Sequence, residues 1–213
     1  MTLKIYGTAK SRASRNLWLL NEIGVPFEHV DIVQDYNKTK AEQVLCRDPA
    51  FLAVNPNGHI PVLDDDGLVL WESLAINQHL ARKYGGALGP KTIEEEALIT
   101  MWSLWAANEC EVNALTVLQK GPAAPAEKQN KAAADAAIAA LKAPFAVLDK
   151  ALADRNGHLV GGRFTVADIN VAGVMLYARP AAELFAGAPH VKAWLDALME
   201  RPAYKAMMKL REA

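Results

Sequence analysis

Cysteine is scarce: the 213-residue sequence holds only Cys46 and Cys110. They stand far apart and in no ligand-spaced motif, so neither a disulfide framework nor a zinc site is expected. Net charge is equally slight, −1 at pH 7, which leaves no electrostatic footprint for nucleic acid or an anionic membrane. No apolar run approaches the ~20 residues needed to span a bilayer. The opening Met1-Thr2-Leu3-Lys4-Ile5-Tyr6 has neither a long apolar core nor a small-residue cleavage site. It reads as a strand rather than an export signal, and a cytoplasmic location is the expectation. The sequence shows no internal repeat and no low-complexity tail. What is present is an ordinary globular balance, 52% apolar and 22% charged, over a length that suits one large domain or two modest ones.

Periodicity divides the chain. Leu3 to Tyr6 is β-prone, Ser11 to Glu22 has helical spacing, and Phe27 to Ile32 returns to alternation. Gly24 and Pro26 close the helix between them. This is a βαβ unit, so its strands should be parallel. The stretch from Gln34 to Ala50 is polar and suits a short helix with loops. Ile60 to Leu63 and Leu68 to Leu70 flank Asp64-Asp65-Asp66-Gly67, a hairpin with its turn at Asp-Gly. The acidic run reads as a turn, not a cation site. Ser73 to Tyr84 is a helix. The order β-α-β-α-β-β-α is that of a thioredoxin-like domain, expected over residues 1–85, with a linker at 86–91. Residues 92–213 contain no convincing strand and read as an all-helical domain. Thr92 to Glu95 and Thr165 to Asp168 are capping boxes. A long helix should run from the first of them towards Pro122, and another from Ala126 to Arg155 with a kink at Pro144.

Two stretches carry chemistry. In Asn55-Pro56-Asn57-Gly58-His59-Ile60-Pro61-Val62-Leu63, a proline opens a strand and gives up a ladder donor. A cis bond there would turn the Ile60 main chain outward, where an extended peptide could pair with it. In Trp71-Glu72-Ser73-Leu74, Ser73 begins a helix, where free N–H groups and the helix dipole favour a carboxylate. Glu72 adds a negative charge beside it. The pair suits a group with both a carboxylate and an ammonium, an α-amino acid end.

These motifs, in this order, resemble the glutathione site of the cytosolic glutathione transferases. The capping box at Thr165 to Asp168, after Gly161-Gly162-Arg163-Phe164, resembles that family's C-terminal structural box. The likeness covers essentially the whole chain and is of the bacterial, serine-type kind, similar to the theta and phi classes. It implies glutathione as co-substrate, Pro61 in the cis form and Ile60 on the cysteinyl backbone. It implies Glu72 and Ser73 on the γ-glutamyl end. His59 stands where the family usually has glutamine or lysine, and is expected to assist with a pH-dependent charge.

The catalytic position implied by the resemblance is Ser11, at the strand-to-helix junction within Gly7-Thr8-Ala9-Lys10-Ser11-Arg12-Ala13-Ser14-Arg15. A hydroxyl donor there would stabilise the glutathione thiolate. Ser14 is the competitor. Arg12 and Arg15 read as a solvated helix face, and Tyr6 as packed. Met101, Trp105 and Asn108 share one helical face and are the expected second-substrate pocket. Cys110 reads as buried packing. The expected activity is conjugation of glutathione with a small apolar electrophile, without a metal, in a homodimer. Two rivals remain: a glutathione-dependent thiol–disulfide reductase or peroxidase, disfavoured because no cysteine stands near Ser11, and a non-catalytic binding module, disfavoured by the intact Glu72-Ser73 pair.

Overall fold

Leu3–Tyr6 forms strand β1 at the centre of a computed structural model that describes residues 2–155 and 157–212. Its inward residues Leu3 and Ile5 are buried. Helix α1, Ala13–Ile23, follows and is closed at Gly24, whose N–H returns to the Leu20 carbonyl at 2.9 Å. Strand β2, Glu28–Val30, then pairs parallel with β1, Lys4 opposite Glu28. This is the expected βαβ unit.

The strand expected from Phe27 to Ile32 is broken. The chain leaves the sheet at the exposed Asp31, and β3, Ile32–Val33, pairs instead with β4, Val44–Leu45. Ile32 and Val33 are both buried, as residues of a strand covered on both faces are. The one-turn helix α2, Pro49–Leu52, follows. Strands β5, Val62–Asp65, and β6, Leu68–Trp71, form the expected hairpin, with Val62 opposite Trp71. β5 also runs antiparallel to β1, Ile5 opposite Leu63, giving the order β2-β1-β5-β6. Helix α3, Ser73–Tyr84, packs against α1. The buried Asp65 ties it to the sheet, accepting from His79 Nε2 (2.7 Å), Lys83 Nζ (2.8 Å) and Tyr84 Oη (2.6 Å).

The second unit is helical. Thr92 starts α4, Ile93–Trp105, by accepting the Glu95 N–H at 3.2 Å. The Glu95 carboxylate does not close the box on Thr92. It accepts from the Lys91 N–H (2.8 Å) and forms a two-pronged ion pair with Arg163, at 2.8 and 2.7 Å. A π-helical segment, Ala106–Glu111, separates α4 from α5, Val112–Lys120. Helix α6, Lys131–Asp154, is capped by Asn130 and carries Pro144 within it. Helix α7, Val166–Met175, is buried at every residue, as the apolar centre of a helical unit must be. α8, Ala182–Ala186, and α9, Pro189–Met199, complete it.

The last helix, α10, Pro202–Glu212, packs on α1. The chain therefore divides into Met1–Gly89 with Arg201–Ala213, and Pro90–Glu200. The sequence reading carries the helical domain on to residue 213. Its end differs because Ala203, Tyr204 and Met207 bury one face of α10, with the Tyr204 ring edge-on to Trp18 of α1 at 5.0 Å. Among the described residues, no helix is long and apolar enough to cross a membrane.

Candidate glutathione site

The candidate site is built where β1 ends and α1 and α3 begin. Gly7 terminates β1 with φ 137°, and a Cβ there would stand 2.9 Å from that of Ala13 and 3.2 Å from that of Ile60. Only glycine lets the strand end close on both the start of α1 and Ile60. Ser11 follows, half-buried. Its hydroxyl donates to the Thr8 carbonyl at 2.7 Å and accepts the Ala13 N–H at 3.1 Å. It is thus part of the turn that starts α1. A serine hydroxyl has one proton, so donation to a ligand requires it to swing off Thr8, while the Ala13 N–H still polarises the oxygen.

The Ile60–Pro61 bond is cis, as read from the sequence. Ile60 is buried, and among the described residues its main chain makes no hydrogen bond with the rest of the chain. The turn before it is held by Asn55, almost wholly enclosed. Asn55 Nδ2 donates to the His59 carbonyl at 2.7 Å, and its Oδ1 accepts the Asn57 N–H at 3.0 Å. The His59 side chain is exposed. Glu72 is exposed and has the left-handed backbone φ 66°, one of the non-glycine positive-φ residues with Asp66. Such backbone strain clusters at ligand sites.

Ser73 is buried at 4% exposure. Its Oγ accepts from Arg15 Nη1 at 3.1 Å, and its carbonyl accepts from Asn16 Nδ2 at 2.8 Å. Asn16 also donates to Asn77 Oδ1 at 2.7 Å, and Asn77 Nδ2 donates to the Arg15 carbonyl at 3.3 Å. This corrects the reading of Arg15 as solvated: it is 2% exposed, whereas Arg12 is on the surface. The signal was available, because Leu17, Trp18, Leu19 and Leu20 put apolar residues on every side of α1. A charged residue inside such a helix must find buried partners. Arg15 sits one turn after Ser11, so the network links the Ser11 turn to the N-terminus of α3.

The second-substrate residues are only partly brought together. A groove of about 500 Å³ between α4 and α6 is lined by Met101, Trp102, Trp105, Val147, Ala151 and the polar rim of Lys150, Asp154 and Arg155. Asn108 is not among its walls. It lies, exposed, in the π segment, where the wider turn shifts it off the face that Met101 and Trp105 share. Both thiols are buried, and burial pushes Cys46 upward and Cys110 to about 12. Among the described residues, no group of three or more His, Cys, Asp or Glu side chains is placed to hold a metal.

A thioredoxin-like unit followed by a helical unit is the architecture of the glutathione transferase fold class. Residues 1–82 match the glutathione S-transferase N-terminal domain and residues 112–202 the C-terminal domain of the same enzymes. The chain belongs to the glutathione S-transferase family. It is 36% identical over 214 residues to Glutathione S-transferase 3 of Zea mays, covering 95% of this chain and 91% of that one. It is 32% identical over 198 residues to Glutathione S-transferase GstB of Escherichia coli, covering 91% of each. Among solved structures it resembles glutathione transferase F7 from Populus trichocarpa, at TM-score 0.83 and 28% identity over 98% of this chain and 99% of that one. It also resembles the theta-class enzyme of Xanthomonas axonopodis pv. citri with glutathione bound, at TM-score 0.77 and 29% identity over 96% of both chains.

Proposed function

We propose that this chain joins the glutathione thiolate to small apolar electrophiles. Ile60 pairs with the cysteinyl backbone, and Ser73 and Glu72 receive the carboxylate and ammonium of the γ-glutamyl end, with His59 assisting. Ser11 turns its hydroxyl to the sulfur. The thiolate is the nucleophile, and a free thiol, with a pKa of about 8.5, is mostly protonated at neutral pH. A hydroxyl donor favours the ionised form. The proton leaves to solvent, the sulfur bonds to the electrophilic carbon, and the leaving group departs with its electron pair.

One observation supports this above all: a buried Ile60 whose main-chain groups are unpaired among the described residues, in the same unit as a buried Ser73 behind the strained Glu72. That is a receptor for an extended peptide with an amino-acid end. The high thiol pKa of Cys110 and the raised one of Cys46 favour conjugation over disulfide exchange through the chain's own cysteines. The groove walled by Met101 and Trp105 suits either the apolar electrophile or a second copy of the chain in the proposed homodimer.

The test is kcat/KM for chlorodinitrobenzene against pH in wild type, Ser11→Ala and Ser14→Ala. Ser11→Ala should lose up to about 10²-fold near neutrality. The loss should shrink in base, where the thiol ionises unaided. Ser14→Ala should follow wild type. A pH profile unchanged in Ser11→Ala would exclude hydroxyl activation by Ser11. Met101→Lys separates the uses of the groove: a raised electrophile KM with an unchanged sedimentation coefficient supports the substrate, and a monomer supports the copy.

A further inference from the structure

The loop from Gly7 to Ser11 is held through three successive carbonyls, the middle one by Ser11 itself and the outer two by distant parts of the chain. The Gly7 carbonyl meets His29 Nε2 of β2 at 2.6 Å. The Thr8 carbonyl accepts both the N–H and the hydroxyl of Ser11, at 3.0 and 2.7 Å. The Ala9 carbonyl accepts from Arg211 Nη1 at 3.0 Å, a contact across 202 positions of sequence. Ala9 itself is 2% exposed, so its carbonyl has little access to water as an alternative partner.

Arg211 does not reach the loop by chance of a long side chain. Its helix is fixed at the other end by Arg201, whose guanidinium forks onto the Glu22 carboxylate at 2.6 and 2.8 Å. Glu22 also accepts from Trp18 Nε1 at 3.1 Å, and Trp18 packs on Tyr204. Glu22 lies at the end of α1 and Ala9 just before its start, so α10 lies antiparallel along α1. At about 1.5 Å per residue, the ten steps from Arg201 to Arg211 cover about 15 Å, close to the length of α1. The last turn of α10 carries Lys209 and Arg211, where a cation complements the helix dipole.

We propose that Arg211 is a positioning residue for the thiolate site: from the end of α10 it fixes the Thr8–Ser11 turn through the Ala9 carbonyl, and so sets where the Ser11 hydroxyl and the first N–H groups of α1 stand. This rests on the proposed thiolate chemistry at that turn. Arg211 makes no contact with glutathione in this scheme. It acts on the geometry of the donors, which matter more in the ionised and transition states than in ground-state binding.

The experiment compares the absorbance titration of the thiolate in the glutathione complex with steady-state kinetics. Wild type, Arg211→Ala, Arg211→Lys, Arg201→Ala and Ser11→Ala are measured in parallel. Arg211→Ala should raise the thiolate pKa and lower kcat roughly tenfold at pH 6.5, with glutathione KM changed less than twofold. That lies below the ~10² that a 1 Å misplacement can cost. Arg211→Lys retains a donor and should recover part of the loss. Arg201→Ala loosens α10 at its far end and should lower the melting temperature with a smaller thiolate shift. A wild-type titration in both Arg211 variants overturns the proposal, as does a shift in Arg201→Ala equal to that in Arg211→Ala, which would reduce Arg211 to general helix stability. If Ser11→Ala is silent while Arg211→Ala shifts the titration, the positioning role stands and the Ser11 hydroxyl does not.

Discussion

Glu72 and Ser73 are chain neighbours with opposite anchorage. Ser73 is tied from below by Arg15 and Asn16, whereas Glu72 is held in its left-handed conformation at the surface. Glu72→Gln removes a charge without touching that buried network, so under the proposed binding mode glutathione KM should rise while kcat stays near wild type, because contacts at the γ-glutamyl end would be alike in ground and transition states. A kcat loss at constant KM would place Glu72 in the chemistry. Asp168 is the opposite case, fully buried in the second unit. Beyond its capping box with Thr165, Oδ1 accepts the Leu159 N–H at 3.2 Å and Trp194 Nε1 at 3.1 Å. The cap alone is worth about 0.5–2 kcal/mol. Each stranded buried donor adds about 1–3 kcal/mol. Asp168→Ala should therefore cost at least about 2.5 kcal/mol in urea unfolding while the glutathione affinity of the folded fraction is retained. The capping partners were legible in the sequence, since they are three residues apart. Leu159 and Trp194 were not, because nothing local marks a contact over 26 positions.

At the scale of elements, helix starts and the hairpin were legible because their signals are local: a Thr or Ser before an apolar run, Asp-Gly between two strands. The break at Asp31 and the π segment were not. Both depend on which neighbours bury consecutive residues, which periodicity cannot report. In the π segment the shifted register buries Ala106, Cys110 and Glu111, and nearby Ser103 Oγ donates to the Ile99 carbonyl at 2.7 Å while accepting from Asn170 Nδ2 at 2.9 Å. A serine bonded back to the preceding turn bends a helix, and here it also ties α4 to α7. The cis Ile60–Pro61 bond was anticipated through the resemblance, not through periodicity. The loop between α6 and α7 offers an elemental test. Gly161 has φ 65°, and a side chain there would strike the Arg163 guanidinium and the Glu95 carboxylate. Gly161→Val should break the Arg163–Glu95 pair and lower the melting temperature by several degrees. Glu95→Gln keeps the shape and removes only the charge, so a larger loss in Gly161→Val than in Glu95→Gln at pH 7 separates collision from lost charge.

Over the whole molecule, a carboxylate in each unit titrates well below its usual range. Burial alone would push Asp65 upward, but the hydrogen bonds from Lys83, Tyr84 and His79 outweigh it and bring it to about 2. Arg163, with the Lys91 N–H, brings Glu95 to about 2. A depressed carboxylate contributes stability that is present above its unfolded pKa, about 4, and is lost as pH falls towards 2. Urea midpoints should therefore hold from pH 7 to about 5 and fall between about pH 4 and 2. Asp65→Asn should be less stable at pH 7 and have a flatter acid limb; a limb parallel to that of wild type would remove Asp65 from the acid response. The division of the chain bears on its making as well. The ribosome delivers Pro90–Glu200 as one unbroken stretch, whereas the first unit is assembled from two, Met1–Gly89 and Arg201–Ala213. At about 5–20 residues per second, Trp18 and its apolar neighbours wait several seconds, while the whole second unit is synthesised, before Tyr204 arrives to cover the indole. The half of the molecule made first is the half finished last, and a chain that stops before residue 201 lacks the helix that packs on α1.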